Sequence, residues 1–473
     1  MKQIRRIASH VMAPLLLALV AVGCSAIARG EGDAFAARRH AAISVETAQL
    51  RADYWIRKQT HASRIVLDAA TIATKNTQLP KIDKSVNDIE RLPGMLGRAR
   101  VHAWIDVLSR TSGAVLFDAQ GSEVSQASLD AWRASLALGE IPAQVPTRYG
   151  LVTQRADLRT FPTTRGVFSA PGNTDIDRFQ ESALFPGTPV ALVHASRDGE
   201  WWFVVSDLYE AWIEKRFVAM GSAAEVFGYG RRRPYLIATG ADVRTAFTSE
   251  QRQVSDLRLE MGVRVPLREG WPSDQPVNGQ NPDTSHVIDL PIRDANGTLT
   301  FAPALISRTA DVAGDFLPLS RAGLLLQSFK FLGERYGWGH SFNARDCSGF
   351  VSEVYRSFGV TLPRNTGDQA RSAGYNRLAF EAGMDHAERL QALRALEVGD
   401  LIHVPGHVMM FIGSDFGIPY VIHDTAGVNQ HDVQGKLKRV VINRVTVTPL
   451  TLMRSDDDQP IIDRITSVQR IRP

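Results

Sequence analysis

One cysteine and one distant histidine form the part of this sequence best suited to chemistry. Cys347 lies in residues 346–350, which read Asp-Cys-Ser-Gly-Phe, and His407 opens the apolar run 407–411. A cysteine attacks a carbonyl as its thiolate, and a histidine can take the thiol proton and return it to a leaving amine. The two residue types together predict acyl transfer through a covalent thioester.

The cysteine count favours this chemical use of Cys347. The chain has two cysteines, and the other, Cys24, lies in an N-terminal segment with the pattern of an export signal. Cys347 therefore has no evident disulfide partner outside the cytoplasm, where unpaired thiols are rare. The alternative is a buried structural thiol, the commoner fate of a free cysteine. The sequence context favours the nucleophile.

The predicted elements around these residues can bring them together. Residues 347–358 have helical apolar spacing, with Asp346 as the N-cap, so we expect the helix N-terminus to lower the pKa of the Cys347 thiol. Gly349 would permit close packing in the first turn. His407 begins a predicted β-strand, and His423 on the next strand is the candidate that orients its imidazole.

Four motifs extend this pattern over about residues 320–473. They are Tyr336-Gly-Trp-Gly, the Asp-Cys-Ser-Gly-Phe run, Gly399-Asp-Leu-Ile, and Gly406-His-Val-Met-Met-Phe-Ile-Gly. In order and spacing they resemble the NlpC-type cell-wall cysteine peptidases. The resemblance implies a papain-like α+β fold that cleaves between γ-D-glutamate and a diamino acid in peptidoglycan stem peptides. It assigns Cys347 as nucleophile, His407 as base and His423 as the orienting residue.

The same resemblance implies substrate-binding residues. Tyr336 matches a tyrosine that hydrogen-bonds near the active site. Asp346 and Ser348 match residues that bind the free amine of the L-Ala end of the substrate in the SH3-bearing branch, and Tyr209 is our choice for the barrel tyrosine that joins them. We therefore expect a preference for turnover peptides with a free L-Ala.

Three further positions near these motifs leave questions open. His340 departs from a glycine common in the family, which puts the shape of that loop in doubt. Arg364 and Gln369 are either pocket residues or part of a surface loop.

The chain is long enough for several domains. Short β-rich runs over 148–222 resemble a bacterial SH3 domain, in which Trp201, Trp202 and Trp212 are core residues or face a ligand groove. Residues 223–319 have a looser β-rich texture that favours a second, divergent SH3-like domain. Residues 31–147 are predicted to be mainly helical, with a break at Leu79-Pro80. The fold class is thus multidomain: a helical N-terminal region, two small all-β barrels and the papain-like domain at 320–473.

The N-terminus predicts export. Residues 1–24 combine a basic start with a short apolar run and end in Ala21-Val22-Gly23-Cys24, which resembles a lipoprotein box with Cys24 as the lipidated residue. Ser25 favours an outer-membrane lipoprotein facing the periplasm. Cleavage after Ala26-Ile27-Ala28 would instead release a soluble periplasmic protein. The basic segment accounts for most of the formal charge of +4, so charge gives no support for nucleic-acid binding.

These observations predict a monomeric cysteine endopeptidase whose partners are peptidoglycan stem peptides and, through the lipid anchor, the membrane. We expect no cofactor and no metal. A zinc hydrolase using His403, His407 and His423 is a distinct hypothesis, although Pro405-Gly406 excludes a helical metal pair. A non-catalytic peptide-binding lipoprotein, and an acyltransferase or amidase with the same Cys-His chemistry, remain the alternatives.

Overall fold

The structure, a computed structural model, describes residues 39–40, 45–110 and 113–473. The predicted signal segment 1–24, with Cys24, lies outside these residues. No helix in the described part of the chain is both long and apolar enough to cross a membrane.

The N-terminal region combines helices with short strands. Its elements are β1 (Arg39–His40), β2 (Val45–Glu46), α1 (Ala52–Arg57), β3 (Ile65–Leu67), α2 (Ala69–Ile82), β4 (Met95–Gly97), α3 (Arg98–Leu108), α4 (Gln126–Ser135) and β5 (Gln144–Pro146). The prediction that residues 31–147 are mainly helical misses β3, which pairs with a strand at Leu319–Ser320. The predicted break at Leu79-Pro80 is also wrong, because α2 continues through Pro80 into its last turn.

This region contacts two other parts of the molecule. Trp55 on α1 is fully buried, and its ring lies 5.1 Å from that of Tyr420 in the C-terminal domain. Val101 and Ile105 on α3 are buried in the core of the first barrel. The N-terminal region therefore packs against both the barrel and the C-terminal domain.

The first barrel is a seven-stranded antiparallel sheet. Its strands are β6 (Arg148–Val152), β7 (Ala156–Arg159), β8 (Gln180–Leu184), β9 (Pro189–Ala195), β10 (Trp201–Val205), β11 (Glu210–Glu214) and β12 (Val218–Gly221), in the order β12-β6-β9-β10-β11-β7-β8. Trp201, Trp202 and Trp212 are all buried. Trp202 is covered by Lys215, whose Nζ lies 4.1 Å from the ring centroid. The three tryptophans are core residues and do not line a groove.

The following segment is β-rich, and its strands form separate small sheets. It contains α5 (Ala223–Tyr229), β13 (Tyr235–Ala238), β14 (Val243–Arg244), β15 (Arg258–Leu259), β16 (Arg264–Pro266), β17 (Ser285–Arg293), β18 (Leu299–Ser307) and β19 (Val312–Ala313). β16, β13 and β19 pair in one sheet, β14 with β15 in a second, and β17 with β18 in a third. Its assignment as a second SH3-like domain stays a prediction.

The C-terminal domain packs helices on a six-stranded antiparallel sheet. Its elements are β20 (Leu319–Ser320), α6 (Arg321–Phe329), α7 (Cys347–Arg356), α8 (Thr366–Arg371), β21 (Asn376–Ala379), α9 (His386–Leu393), β22 (Leu401–Val404), β23 (His407–Asp415), β24 (Ile418–His431), β25 (Leu437–Pro449) and β26 (Ser467–Arg470). The strand order is β21-β26-β22-β23-β24-β25. Helix α7 packs on this sheet through Phe350, Val351 and Val354, which are fully buried. This packing fixes the helix that carries Cys347.

Candidate active site

Helix α7 begins at Cys347, and its first turn is tightly held. The Asp346 carboxylate caps the helix by accepting the Gly349 backbone N–H at 2.8 Å. A Cβ placed on Gly349 would lie 2.6 Å from His340 Cε1, so only glycine allows this close approach. The cap and the glycine together set the position of the sulfur at the start of the helix.

The Cys347 thiol is buried and free. Its Sγ lies 3.6 Å from Thr366 Oγ1, and the nearby Val408 backbone acts to lower the thiol pKa. Burial and, secondarily, the negative charge of Asp346 raise the pKa of the thiol to about 11. The expectation of a lowered thiol pKa is therefore wrong. The cap that starts the helix places a carboxylate beside the sulfur, and this charge offsets the favourable field of the helix N-terminus.

His407 is placed beside the sulfur by a tight turn. β22 and β23 are joined by Pro405-Gly406, with Gly406 at φ +77°, and Val404 pairs with His407 across the turn. Because the backbone of the next residue, Val408, lies near Cys347 Sγ, the turn brings His407 into the region of the thiol. Burial lowers the pKa of His407 to about 4.

A chain of hydrogen bonds runs from His407 into the sheet. His407 Nε2 lies 2.8 Å from His423 Nδ1, and His423 Nε2 lies 3.0 Å from Thr448 Oγ1. His423 is fully buried, and burial holds its pKa well below the ordinary value, so its ring is neutral. If His407 Nε2–H donates to His423 Nδ1, then His423 Nε2–H donates to Thr448. This arrangement leaves His407 Nδ1 unprotonated and able to accept the thiol proton.

The resting pair is thus a neutral thiol and a neutral imidazole. The pKa of Cys347 lies above that of His407. Proton transfer from sulfur to His407 Nδ1 must then accompany attack on a carbonyl, as general-base catalysis requires. His407 can afterwards return the proton to a leaving amine. Sequence reasoning missed Thr448, because a threonine on a β-strand has no local pattern that marks it.

Tyr336 lies near the thiol. It is buried and lines a cavity with His407. Burial and the neighbouring Cys347 raise the pKa of Tyr336 well above its ordinary value, so its hydroxyl stays protonated and can donate a hydrogen bond.

Asp346 and Ser348 belong to a buried ionic cluster behind the nucleophile. Arg364 Nη2 donates to Asp346 Oδ2 at 2.8 Å, and Arg364 Nη1 donates to Ser348 Oγ at 2.9 Å. The Arg364 guanidinium contributes to a low pKa of Asp346, about 2, despite burial. The polar atoms of both residues are bonded to protein groups, and contact with a substrate amine stays a prediction for them.

His340, Arg364 and Gln369, whose places the sequence left undecided, lie in or near this cluster. His340 Nδ1 accepts from Arg364 at 2.9 Å and Nε2 donates to Glu353 at 3.3 Å, with burial lowering the His340 pKa to about 4. Gln369 is buried and donates to Pro363 O at 2.9 Å. Arg364 and Gln369 are therefore interior residues, and neither belongs to a surface loop.

Tyr209 lies across a cavity of about 550 Å³ that reaches the same helix region. Its hydroxyl donates to Glu181 Oε2 at 2.5 Å. Glu210 and Asp368 also line this cavity, and so does Asn365, the neighbour of the Thr366 that contacts Cys347. With Glu181, the cavity has three carboxylates against two cations, Lys84 and Arg100, and its net negative charge favours a cationic group. Sequence reasoning missed Glu181, which has no motif around it.

The zinc hypothesis finds no geometric support. His403 is fully buried on β22, and burial lowers its pKa to about 3. Within residues 39–40, 45–110 and 113–473, no group of three or more His, Cys, Asp or Glu side chains is placed to hold a metal ion.

Comparison with known proteins identifies two domains. Residues 333–445 match the NlpC/P60 family, and residues 166–214 match the SH3 domain of SH3b1 type. Cys347, His407 and His423 all lie within the first match. The C-terminal domain is therefore an NlpC/P60 domain of papain-like fold, preceded by an SH3b domain. The NlpC/P60 family comprises cysteine peptidases that act on peptidoglycan.

Individual relatives agree with this assignment. A gamma-D-glutamyl-L-lysine dipeptidyl-peptidase from Bacillus cereus is 37% identical over 107 residues, which cover 20% of this chain and 28% of the relative. The chain thus matches little more than a quarter of the length of that curated relative. The structure of an NlpC/P60 endopeptidase from Photobacterium damselae subsp. piscicida superposes with a TM-score of 0.71 at 17% identity, over 88% of this chain and 96% of the other. That likeness shows a shared multidomain fold.

Proposed function

We propose that the protein is a cysteine endopeptidase that hydrolyses the bond between γ-D-glutamate and the diamino acid, diaminopimelate, of peptidoglycan stem peptides. The observation that carries the proposal is the array Cys347–His407–His423–Thr448, with the hydrogen bonds of 2.8 and 3.0 Å that orient the His407 ring. The NlpC/P60 match over the same residues supports it, and so does the printed activity of the Bacillus cereus relative.

The chemistry follows from the placed groups. Cys347 Sγ attacks the γ-carbonyl of the glutamate while its proton moves to His407 Nδ1. His407 then protonates the amine of the diamino acid as the C–N bond breaks, which leaves a γ-glutamyl thioester on Cys347. Water attacks the thioester with His407 again as base, and the thiol is regenerated. The protonated hydroxyl of Tyr336 is available to donate a hydrogen bond to the oxyanion.

The acidic cavity supports a substrate with a free N-terminal L-Ala. Glu181, which accepts from the Tyr209 hydroxyl at 2.5 Å, and Glu210 and Asp368 place three carboxylates in this cavity, against the two cations Lys84 and Arg100. A protonated L-Ala amine is the end of the stem peptide that matches this charge. Short turnover peptides carry that amine, whereas stem peptides in intact wall carry an amide there.

A digest of L-Ala-γ-D-Glu-meso-diaminopimelate, followed by mass spectrometry, tests the proposal. We expect the wild-type protein to release L-Ala-γ-D-Glu and diaminopimelate, and Cys347→Ala to release neither. If neither protein cleaves the peptide but both bind it, the protein is a peptide-binding module and the proposal is wrong. Equal cleavage of intact sacculi and of free peptide would contradict the free-amine requirement.

We further propose that the protein acts as a monomer in the cell envelope, anchored to the outer membrane by lipid on Cys24. The sequence of residues 1–24 motivates this proposal. Fractionation of cells that express Cys24→Ala tests it: the variant should move from the membrane to the soluble fraction. Wild-type protein in the soluble fraction would favour cleavage after Ala28.

A further inference from the structure

A second cavity, of about 370 Å³, shares no lining residue with the acidic one and is lined by Tyr336 and His407. Its wall also includes Gly427 and Arg439 of the hairpin β24–β25, and the loop that contains Asp456. Since the L-Ala amine suits the acidic cavity, the diamino acid that leaves from the scissile bond belongs in this second cavity, a step that rests on the proposed function.

Arg439 is the unpaired cation of this cavity. Two other arginines line it, but Arg454 bonds to Asp458 at 3.0 Å and Arg464 lies 3.6 Å from Asp457. Arg439 has no ion pair with any residue in the described part of the chain. A Cβ placed on Gly427 would lie 3.4 Å from Arg439 Nη2, so the guanidinium rests on the Gly427 backbone at the cavity wall.

A carboxylate lines the same cavity. Arg439 pairs across the hairpin with Asn429, and the Asn429 amide donates to Asp456 Oδ1 at 2.7 Å. The wall therefore presents an exposed positive group and an exposed negative group that are connected through Asn429. An amine and a carboxylate on one carbon atom complement such a pair.

We infer that Arg439, with Asp456, binds the distal amino-acid end of the diamino acid, so that the protein selects diaminopimelate over lysine. Diaminopimelate carries an amine and a carboxylate at that end, whereas lysine carries the amine alone. The Arg439 guanidinium would form a charge-assisted pair with the distal carboxylate, and Asp456 would accept from the distal amine. Arg439 thus determines specificity and takes no part in the bond-breaking step.

The test compares kcat/KM for L-Ala-γ-D-Glu-meso-diaminopimelate and L-Ala-γ-D-Glu-L-lysine in wild type and Arg439→Gln. We expect wild type to prefer the diaminopimelate peptide by about 10-fold or more, the range of a hydrogen bond to a charged group. Arg439→Gln should lose that preference because its KM for the diaminopimelate peptide rises. Its kcat/KM for the lysine peptide should not change. Lys438→Gln is the matched control, because it removes the same charge from the neighbouring residue of β25, which does not line the cavity.

The outcomes separate this inference from the proposed function. Equal wild-type activity on the two peptides, abolished by Cys347→Ala, would overturn the role of Arg439 and leave the endopeptidase intact. An equal loss on both peptides in Arg439→Gln would also overturn it, since the residue would then act on folding or catalysis. Cleavage of neither peptide by wild type would instead overturn the proposed function.

Discussion

At the scale of single residues, burial determines the protonation states of Cys347 and His407 more than neighbouring charges do. Cys347 and His407 are both held in their neutral forms, because burial penalises the thiolate and the imidazolium alike. The hydrogen bonds through His423 to Thr448 then orient the His407 ring. Under the proposed function, Cys347 would be activated by His407 as a base and not by a preformed ion pair.

This protonation state predicts the alkylation behaviour of the free protein. A thiol with a pKa of about 11 is almost entirely protonated at pH 7, and the thiolate is the form that alkylates. The rate of modification of Cys347 by iodoacetamide should therefore be low at pH 7 and rise about tenfold per pH unit up to pH 10. The adduct is counted by mass spectrometry. A rate that is already maximal at pH 7 would show a thiolate–imidazolium pair and contradict this assignment.

Sequence reasoning succeeded for residues with a local signature and failed for isolated ones. The start of α7 at Cys347 and the strand opened by His407 follow from apolar spacing, an N-cap and a turn. Thr448 reaches the site through sheet pairing with the strand of His423, and Glu181 through packing of its barrel strand against the loop before α7. No local pattern marks either residue. The thiol pKa was mispredicted because the burial of Cys347 and, secondarily, the charge of the Asp346 cap were left out.

At the scale of elements, the first turn of α7 depends on close contact with the loop before it. That loop holds His340 at φ +66°, where it bonds to Arg364 and Glu353. The departure from the common family glycine at this position therefore gives a buried polar link between the loop and the helix.

The strand β3 was not predicted, because a short apolar run fits helix and strand equally and its partner strand lies far along the chain.

A methyl group in this contact should destabilise the protein. Gly349→Ala would place a Cβ 2.6 Å from His340 Cε1, which forces helix or loop to shift. Overpacking of this kind costs about 1–3 kcal/mol. Gly228→Ala is the matched control: it too lies in a helix, α5, where an added Cβ meets nothing within 4 Å, and it should stabilise by about 0.5–1 kcal/mol. Urea unfolding measures the free energy of unfolding of both variants. An equal change in the two would contradict a close contact between Gly349 and His340.

At the scale of the whole molecule, the site is assembled from several parts of the chain. The C-terminal domain supplies the nucleophile and base, the SH3b barrel supplies Glu181 and Tyr209, and α3 of the N-terminal region closes the acidic cavity with Trp104. Trp55, fully buried against Tyr420, fixes the N-terminal region to the C-terminal domain. The domain order was predictable from sequence, but these packing contacts were not, because they join segments without local patterns.

The barrel should therefore control the choice of the N-terminal end of the substrate. We expect wild type to cleave the peptide with a free L-Ala far better than its N-acetylated form. Glu181→Gln should reduce kcat/KM on the free-amine peptide by about tenfold or more, the range for a charge-assisted hydrogen bond. The ratio of kcat/KM between the free-amine and the acetylated peptide should fall accordingly. Glu200→Gln, an exposed change on the same barrel, is the control. Equal cleavage of both peptides by wild type would rule out amine recognition.

The most direct test of the account is cleavage of L-Ala-γ-D-Glu-meso-diaminopimelate in water enriched in oxygen-18. If Cys347 forms a γ-glutamyl thioester that water resolves, the L-Ala-γ-D-Glu product of wild type carries one heavy oxygen on its γ-carboxylate, and Cys347→Ala gives no product. A γ-glutamyl group recovered on an added amine, without heavy-oxygen product, would show a transferase. Unchanged peptide with the wild-type protein would contradict the central claim that this chain is a cysteine endopeptidase.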